Sequence, residues 1–172
     1  MNYNEITKMK KVLIALDYGP TAQKVAEAGF SLAKAMKAEV ILLHIISDSI
    51  RYPTAEYTPI MGMAFSNYTN LDQLQLESVE GRKKASQDFL DKSKLHFGDR
   101  TIKTIVEEGD LAETINKNAE ELQIDIIVMG SHSQRSLENI FRGSVVEKVL
   151  FHSSVPLFII PASQKNKYNP FW

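Results

Sequence analysis

Residues 124–150 read IDIIVMGSHSQRSLENIFRGSVVEKVL. An apolar run is followed by a polar loop that opens at Gly130-Ser131 and closes at Gly143-Ser144, and then by an amphipathic run. Continuous apolar runs rich in β-branched residues suit strands covered on both faces, as in a parallel sheet; half-exposed strands alternate instead. In the run after the loop, Ser144 and Glu147 have the serine-x-x-glutamate spacing of a capping box, and Val145, Val149 and Leu150 are placed to face a sheet. The stretch therefore reads as strand, loop and helix.

The same alternation extends outward in both directions. Apolar runs at Val12 to Leu16, Val40 to Ile46, Ile102 to Val106, Ile124 to Met129 and Leu157 to Ile160 are read as five strands. The third, in TIKTIVEEG, alternates more than the others and is expected near a sheet edge. Between them, Thr21 to Lys37 carries Val25, Ala28, Leu32, Ala33 and Met36 on one stripe, and Leu74 to Leu95 and Leu111 to Leu122 are also amphipathic. The order β-α-β-α-β-α-β-α-β predicts a doubly wound α/β fold with a five-stranded parallel sheet and helices on both faces.

Composition narrows the function. The 172 residues fit one domain with room for a substantial core. Twenty Lys and Arg against 21 Asp and Glu give a net charge of -1, which offers no broad basic field for nucleic acid or anionic lipid. Cysteine is absent, so disulfides, thiolate metal sites and cysteine nucleophiles are excluded. MNYNEITKMKK lacks the apolar core of a signal peptide, and no apolar run approaches the roughly 20 residues that span a bilayer. A soluble cytoplasmic protein without nucleic-acid or membrane partners is expected.

Ligands of such sheets bind at the carboxyl ends of the strands, where strand order reverses. That selects the loops at 17–21, 47–70, 109–110 and 130–143. Neither GxGxxG nor GxxxxGK[ST] occurs, which removes the dinucleotide fingerprint and the P-loop. Gly130 at the end of the fourth strand and Gly143-Ser144 at the start of the last helix can form an anion cradle of backbone N–H groups; equally, Ser144 only caps and Gly130 only turns. Asp17 suits a ribose or base hydrogen bond, or an Asx-turn in DYGPT. Gly109-Asp110 reads as a turn and N-cap. The four histidines, His44, His96, His132 and His152, have no metal-site spacing; His44 is expected to pack or hydrogen-bond near a strand end, and His132 lies in the candidate loop beside Arg135 and Arg142. The segment 47–70 is long for a connection and rich in Tyr and Met, which suits a lid or an interface.

Met129-Gly130-Ser131-His132, the polar loop, Gly143-Ser144-Val145 and SVVEKVLFHSSVPLFII, together with VLIALD and VILLHII, resemble the universal stress protein family over residues 10–162. The resemblance implies a flavodoxin-like fold of the adenine nucleotide alpha hydrolase-like kind, and a homodimer that pairs through the last strand. It divides the chain into an N-terminal tail at 1–9, the domain at 10–162 with its 47–70 loop or lid, and a C-terminal tail at 163–172. One subfamily binds ATP through Gly-x-x-Gly, nine residues, then Gly-Ser or Gly-Thr, and here Gly130 matches the first glycine while Gly143 and Ser144 match the last pair. By the same match Asp17, Ile45 and Met129 fall around the adenosine, and His132, Ser133 and Val145 along the phosphates. Ser133 stands where that subfamily has glycine, and Gly19 where a serine is common. The implied cofactor is ATP or a related adenine nucleotide, with Mg2+ arriving only through the nucleotide. Two roles stay open: a nucleotide-binding stress-response regulator with an unidentified protein partner, and an interaction protein whose vestigial site is empty. No positioned lysine, metal carboxylate pair or nucleophile supports an enzyme beyond a slow ATPase.

Overall fold

The computed structural model describes residues 9–19, 21–47, 78–131 and 144–161. Within them the elements run β1 (Lys11–Ala15), α1 (Ala22–Met36), β2 (Glu39–Ile46), α2 (Val79–Phe97), β3 (Lys103–Glu108), α3 (Leu111–Glu121), β4 (Ile126–Ser131), α4 (Val145–His152) and β5 (Leu157–Pro161). The five strands form one sheet in the order β3-β2-β1-β4-β5, and every neighbouring pair is parallel. This is the expected flavodoxin-like α/β architecture, with β3 at one edge as its alternation implied. The strand order reverses between β1 and β4.

Alternation along the strands separates two cores. Val12, Ile14, Leu16, Val40, Leu42, Val128 and Ile160 point toward α1 and α2, where Val25, Ala26, Ala33, Phe89 and Leu90 cover them. Leu13, Ile41, Leu43, Ile45, Ile127 and Met129 point the other way, onto Ala112, Ile115 and Ala119 of α3 and Val146 and Val149 of α4. Burial on both faces is why these strands read as continuous apolar runs rather than alternating ones.

Several boundaries and faces differ from the sequence expectation. β4 starts at Ile126 and continues to Ser131, because its pairing with β5 extends through Gly130↔Ile160 and Ser131↔Pro161. β3 is displaced to Lys103–Glu108, while Ile102 is buried just before it. α2 begins at Val79 and not at Leu74, since Ser78 is extended and its hydroxyl accepts from the Gly81 N–H. On α1 the residues most deeply covered are Ala22, Val25, Ala26, Gly29 and Ala33, with Ala28, Leu32 and Met36 on the flank. Small side chains on the central stripe let the helix lie close to the sheet. On α4 it is Val146 that joins Val149 in the core, and Leu150 is 49% exposed.

Candidate functional site

The carboxyl ends of β1, β2 and β4 bring four of the expected residues to one end of the sheet. Ile14 is in register with Val128, and Ala15 with Leu43. Met129 therefore lies one residue beyond the β1–β4 pairing, and Ile45 two beyond the β1–β2 pairing. Both are buried on the α3/α4 side of the sheet. Asp17 lies just past the end of β1, between Leu16 and Tyr18, which are both buried in the opposite core.

Asp17 closes an Asx-turn: its Oδ1 accepts from the Gly19 N–H at 2.9 Å. A Cβ at Gly19 would stand 2.9 Å from that same oxygen, so a side chain there would require the Asp17 carboxylate to shift. A carboxylate has several acceptor positions, so one Asx-turn bond does not by itself bar a ligand hydroxyl.

Gly130 is inside β4, not at a turn after it, and it pairs with Ile160. Its reason for being glycine is close packing. A Cβ there would lie 3.0 Å from Val25 Cγ2 and 3.9 Å from Thr21 Oγ1, so α1 starts hard against the backbone at the end of β4. The sequence pattern marks this glycine, but not the helix that needs it small.

At the start of α4, Ser144 is the N-cap: its Oγ accepts from the Glu147 N–H at 3.1 Å. The Lys148 N–H bonds to the Ser144 carbonyl. The first amides of a helix have no intrahelical acceptor, and those of Val145 and Val146 find none among the described residues. With the dipole of α4 behind them they are suited to an anion. His132, Ser133, Gly143, Arg135, Arg142 and the 47–70 segment beyond Ser47 lie outside the described residues, as do the two tails apart from Met9.

His44 and Tyr18 were not marked as parts of a site, yet both stand beside Asp17. The buried His44 ring bonds through Nδ1 to the Leu16 carbonyl at 2.8 Å and lies 4.5 Å from the Tyr18 ring, centroid to centroid. Burial pushes its pKa below the usual histidine value, against the opposing pull of the Leu16 carbonyl and the Asp17 charge. Burial thus favours the neutral ring. Tyr18 is further held by a 3.0 Å hydrogen bond between its hydroxyl and that of Ser86 on α2. The only sequence signal for this cluster is apolar alternation continuing through Leu16 and Tyr18 after the strand has ended.

Among the described residues no group of three or more His, Asp or Glu side chains is placed to hold a metal ion. Nor is any described helix long and apolar enough to cross a membrane.

Known proteins share this fold. Universal stress protein MJ0577 of Methanocaldococcus jannaschii is 30% identical over 154 residues, covering 88% of this chain and 94% of its own. Its solved structure superposes with a TM-score of 0.61 at 27% identity, covering 90% of this chain and 97% of that one. Two solved structures share the fold at lower identity. One is a universal stress protein in complex with cAMP, with TM-score 0.58, 15% identity and coverage of 90% and 98%. The other is a family member from Arabidopsis thaliana with AMP bound, with TM-score 0.57, 14% identity and coverage of 90% and 92%. The family model for universal stress proteins matches residues 8–161, which span every strand and helix described above, and the chain belongs to that family.

Proposed function

We propose that this protein binds ATP or a related adenine nucleotide at the carboxyl ends of β1 and β4 and acts as a regulator rather than a catalyst. The observation that supports the reading is that the Asp17 turn and the buried Ile45 and Met129 lie at the carboxyl ends of the strands beside the reversal of strand order, and that the helix after β4 opens with two amides that find no acceptor among the described residues. Asp17 takes a ribose hydroxyl, Ile45 and Met129 form the apolar floor for the base, and the amides of Val145 and Val146 face the phosphates with Ser144 at the cap. From the sequence, Gly130, His132, Ser133 and Gly143 complete the phosphate loop. Bound cAMP and AMP in two other family members support the ligand class. Mg2+ enters only on the nucleotide, and turnover is at most slow, in keeping with a sequence that suggests no positioned lysine, metal carboxylate pair or nucleophile.

The same reading makes the protein a cytoplasmic homodimer paired through β5, working through a protein partner. β5 stands at a sheet edge among the described strands and exposes Phe158, and native proteins cover such edges. Sedimentation at micromolar concentration should give a dimer; a monomer alone refutes the pairing. Mass spectrometry of small molecules released from natively purified protein should find an adenine nucleotide. Ser133 favours one second reading, an interaction protein with an empty site, and in that case neither retained nor added nucleotide binds.

A further inference from the structure

β2 loses its main-chain neighbour on one side before it does on the other. Its pairing with β3 runs to Ile46↔Glu108, whereas its pairing with β1 ends at Ala15↔Leu43. One more bond follows, from the Leu16 N–H to the Leu43 carbonyl at 2.9 Å. At the Leu16 carbonyl a side chain then takes the donor position, with His44 Nδ1 at 2.8 Å. A carbonyl only accepts, so Nδ1 bears the proton. The neutral ring leaves Nε2 bare, and among the described residues Nε2 has no partner. The ring is held on two sides, by Tyr18 at 4.5 Å and by Phe89 at 5.7 Å between centroids.

The consequence falls on Asp17. Its predecessor in the chain, Leu16, is fixed to β2 through His44, and its successor, Tyr18, is fixed to α2 through Ser86. The residue between them belongs to neither strand pairing, so these neighbours and its own bond to Gly19 help to hold its turn. We propose that His44 is a positioning residue for the nucleotide site, its Nδ1–H replacing the β1–β2 ladder at Leu16 and so setting the backbone that presents Asp17. The assignment rests on the nucleotide reading above for its functional meaning, but the geometric part stands independently of it.

The substitutions separate donor position from volume. Asn places its amide donor where Nδ1 is, Gln places it nearer Nε2, and Leu has none. In His44→Leu the unpaired Leu16 carbonyl frees the turn: hydrogen exchange at the Gly19 amide should rise about tenfold and affinity for a fluorescent ATP analogue should fall about tenfold, the effect of one lost buried hydrogen bond. His44→Asn should stay within about threefold of the native protein in both readouts, and His44→Gln should resemble the Leu variant. Long-range proton–nitrogen spectra of the native protein should show the Nδ1–H tautomer, a result that needs no variant to fold. An Nε2–H tautomer, or unchanged Gly19 exchange in His44→Leu, overturns the proposal. Absence of ATP binding by the native protein overturns the nucleotide reading and leaves the exchange and tautomer results to decide the role of His44.

Discussion

Two strand-to-helix connections at the same end of the sheet solve the same geometric problem at different lengths. β3 passes to α3 through two residues, Gly109 and Asp110, while β4 passes to α4 through the thirteen residues 132–144. The short one contains the minimum a crossover needs. Gly109 has φ +147°, which turns the chain where a side chain would be strained, and Asp110 caps the helix by accepting from the Ala112 and Glu113 N–H groups. The long one ends in an equivalent cap, Ser144 accepting from Glu147, on a helix that packs against the same sheet face. Since two residues suffice for the fold, the additional length in the β4–α4 connection is there for something other than closure. The proposed division is between a short connection that serves the fold and a long one that serves the site.

If that division is right, the short connection is where stability is most easily lost. Gly109→Ala should cost about 1–3 kcal/mol in urea unfolding, because the residue must hold a φ essentially reserved for glycine. Its Cβ would also stand 2.9 Å from Thr114 Oγ1. A loss under about 0.5 kcal/mol would show that the turn relaxes freely and that the two connections are less different than their lengths imply. The caps should be alike in magnitude: Asp110→Ala and Ser144→Ala are each expected to cost about 1 kcal/mol.

Acid distinguishes the caps further. Asp110 is held below its ordinary carboxylate pKa, chiefly by the Glu113 N–H and also by that of Ala112. Its folded pKa is depressed, so its contribution is present above the unfolded value and is lost as pH falls through it toward the folded one. The stability difference between native protein and Asp110→Ala should therefore be constant above pH ~5 and shrink below pH ~4, whereas that for Ser144→Ala stays flat. The smallest effect is expected from the long connection. Replacing residues 132–142 with Gly-Ser-Gly-Ser should change unfolding stability by less than about 1 kcal/mol, since closure entropy depends only weakly on loop length.

Much of this was legible in the sequence because the physics behind it is local and repeated. Strands buried on both faces must be continuously apolar, so five runs announced five strands and a parallel sheet. Asp110 and Ser144 were readable as caps because a short polar side chain before an amphipathic run has few other uses there. What escaped reading depended on neighbours distant in the chain. Gly130 looks like a turn until α1, more than a hundred positions earlier, is seen to bring Val25 against it. Leu150 looks core-facing, but the buried arc of α4 is centred on Val146 and Val149 and leaves Leu150 on its flank, half exposed. For His44 the sequence gives the residue and the strand; the early departure of β1 from β2 gives it a carbonyl to hold.

The central claim is that the fold and the nucleotide site are separable within the β4–α4 connection. Calorimetric titration of ATP into the native protein and into the Gly-Ser-Gly-Ser replacement, both shown folded by the same unfolding midpoint, tests it most directly. The account predicts one saturable site per chain in the native protein and no binding heat in the replacement. Equal affinity in the two proteins, or no binding by the native one, would contradict it.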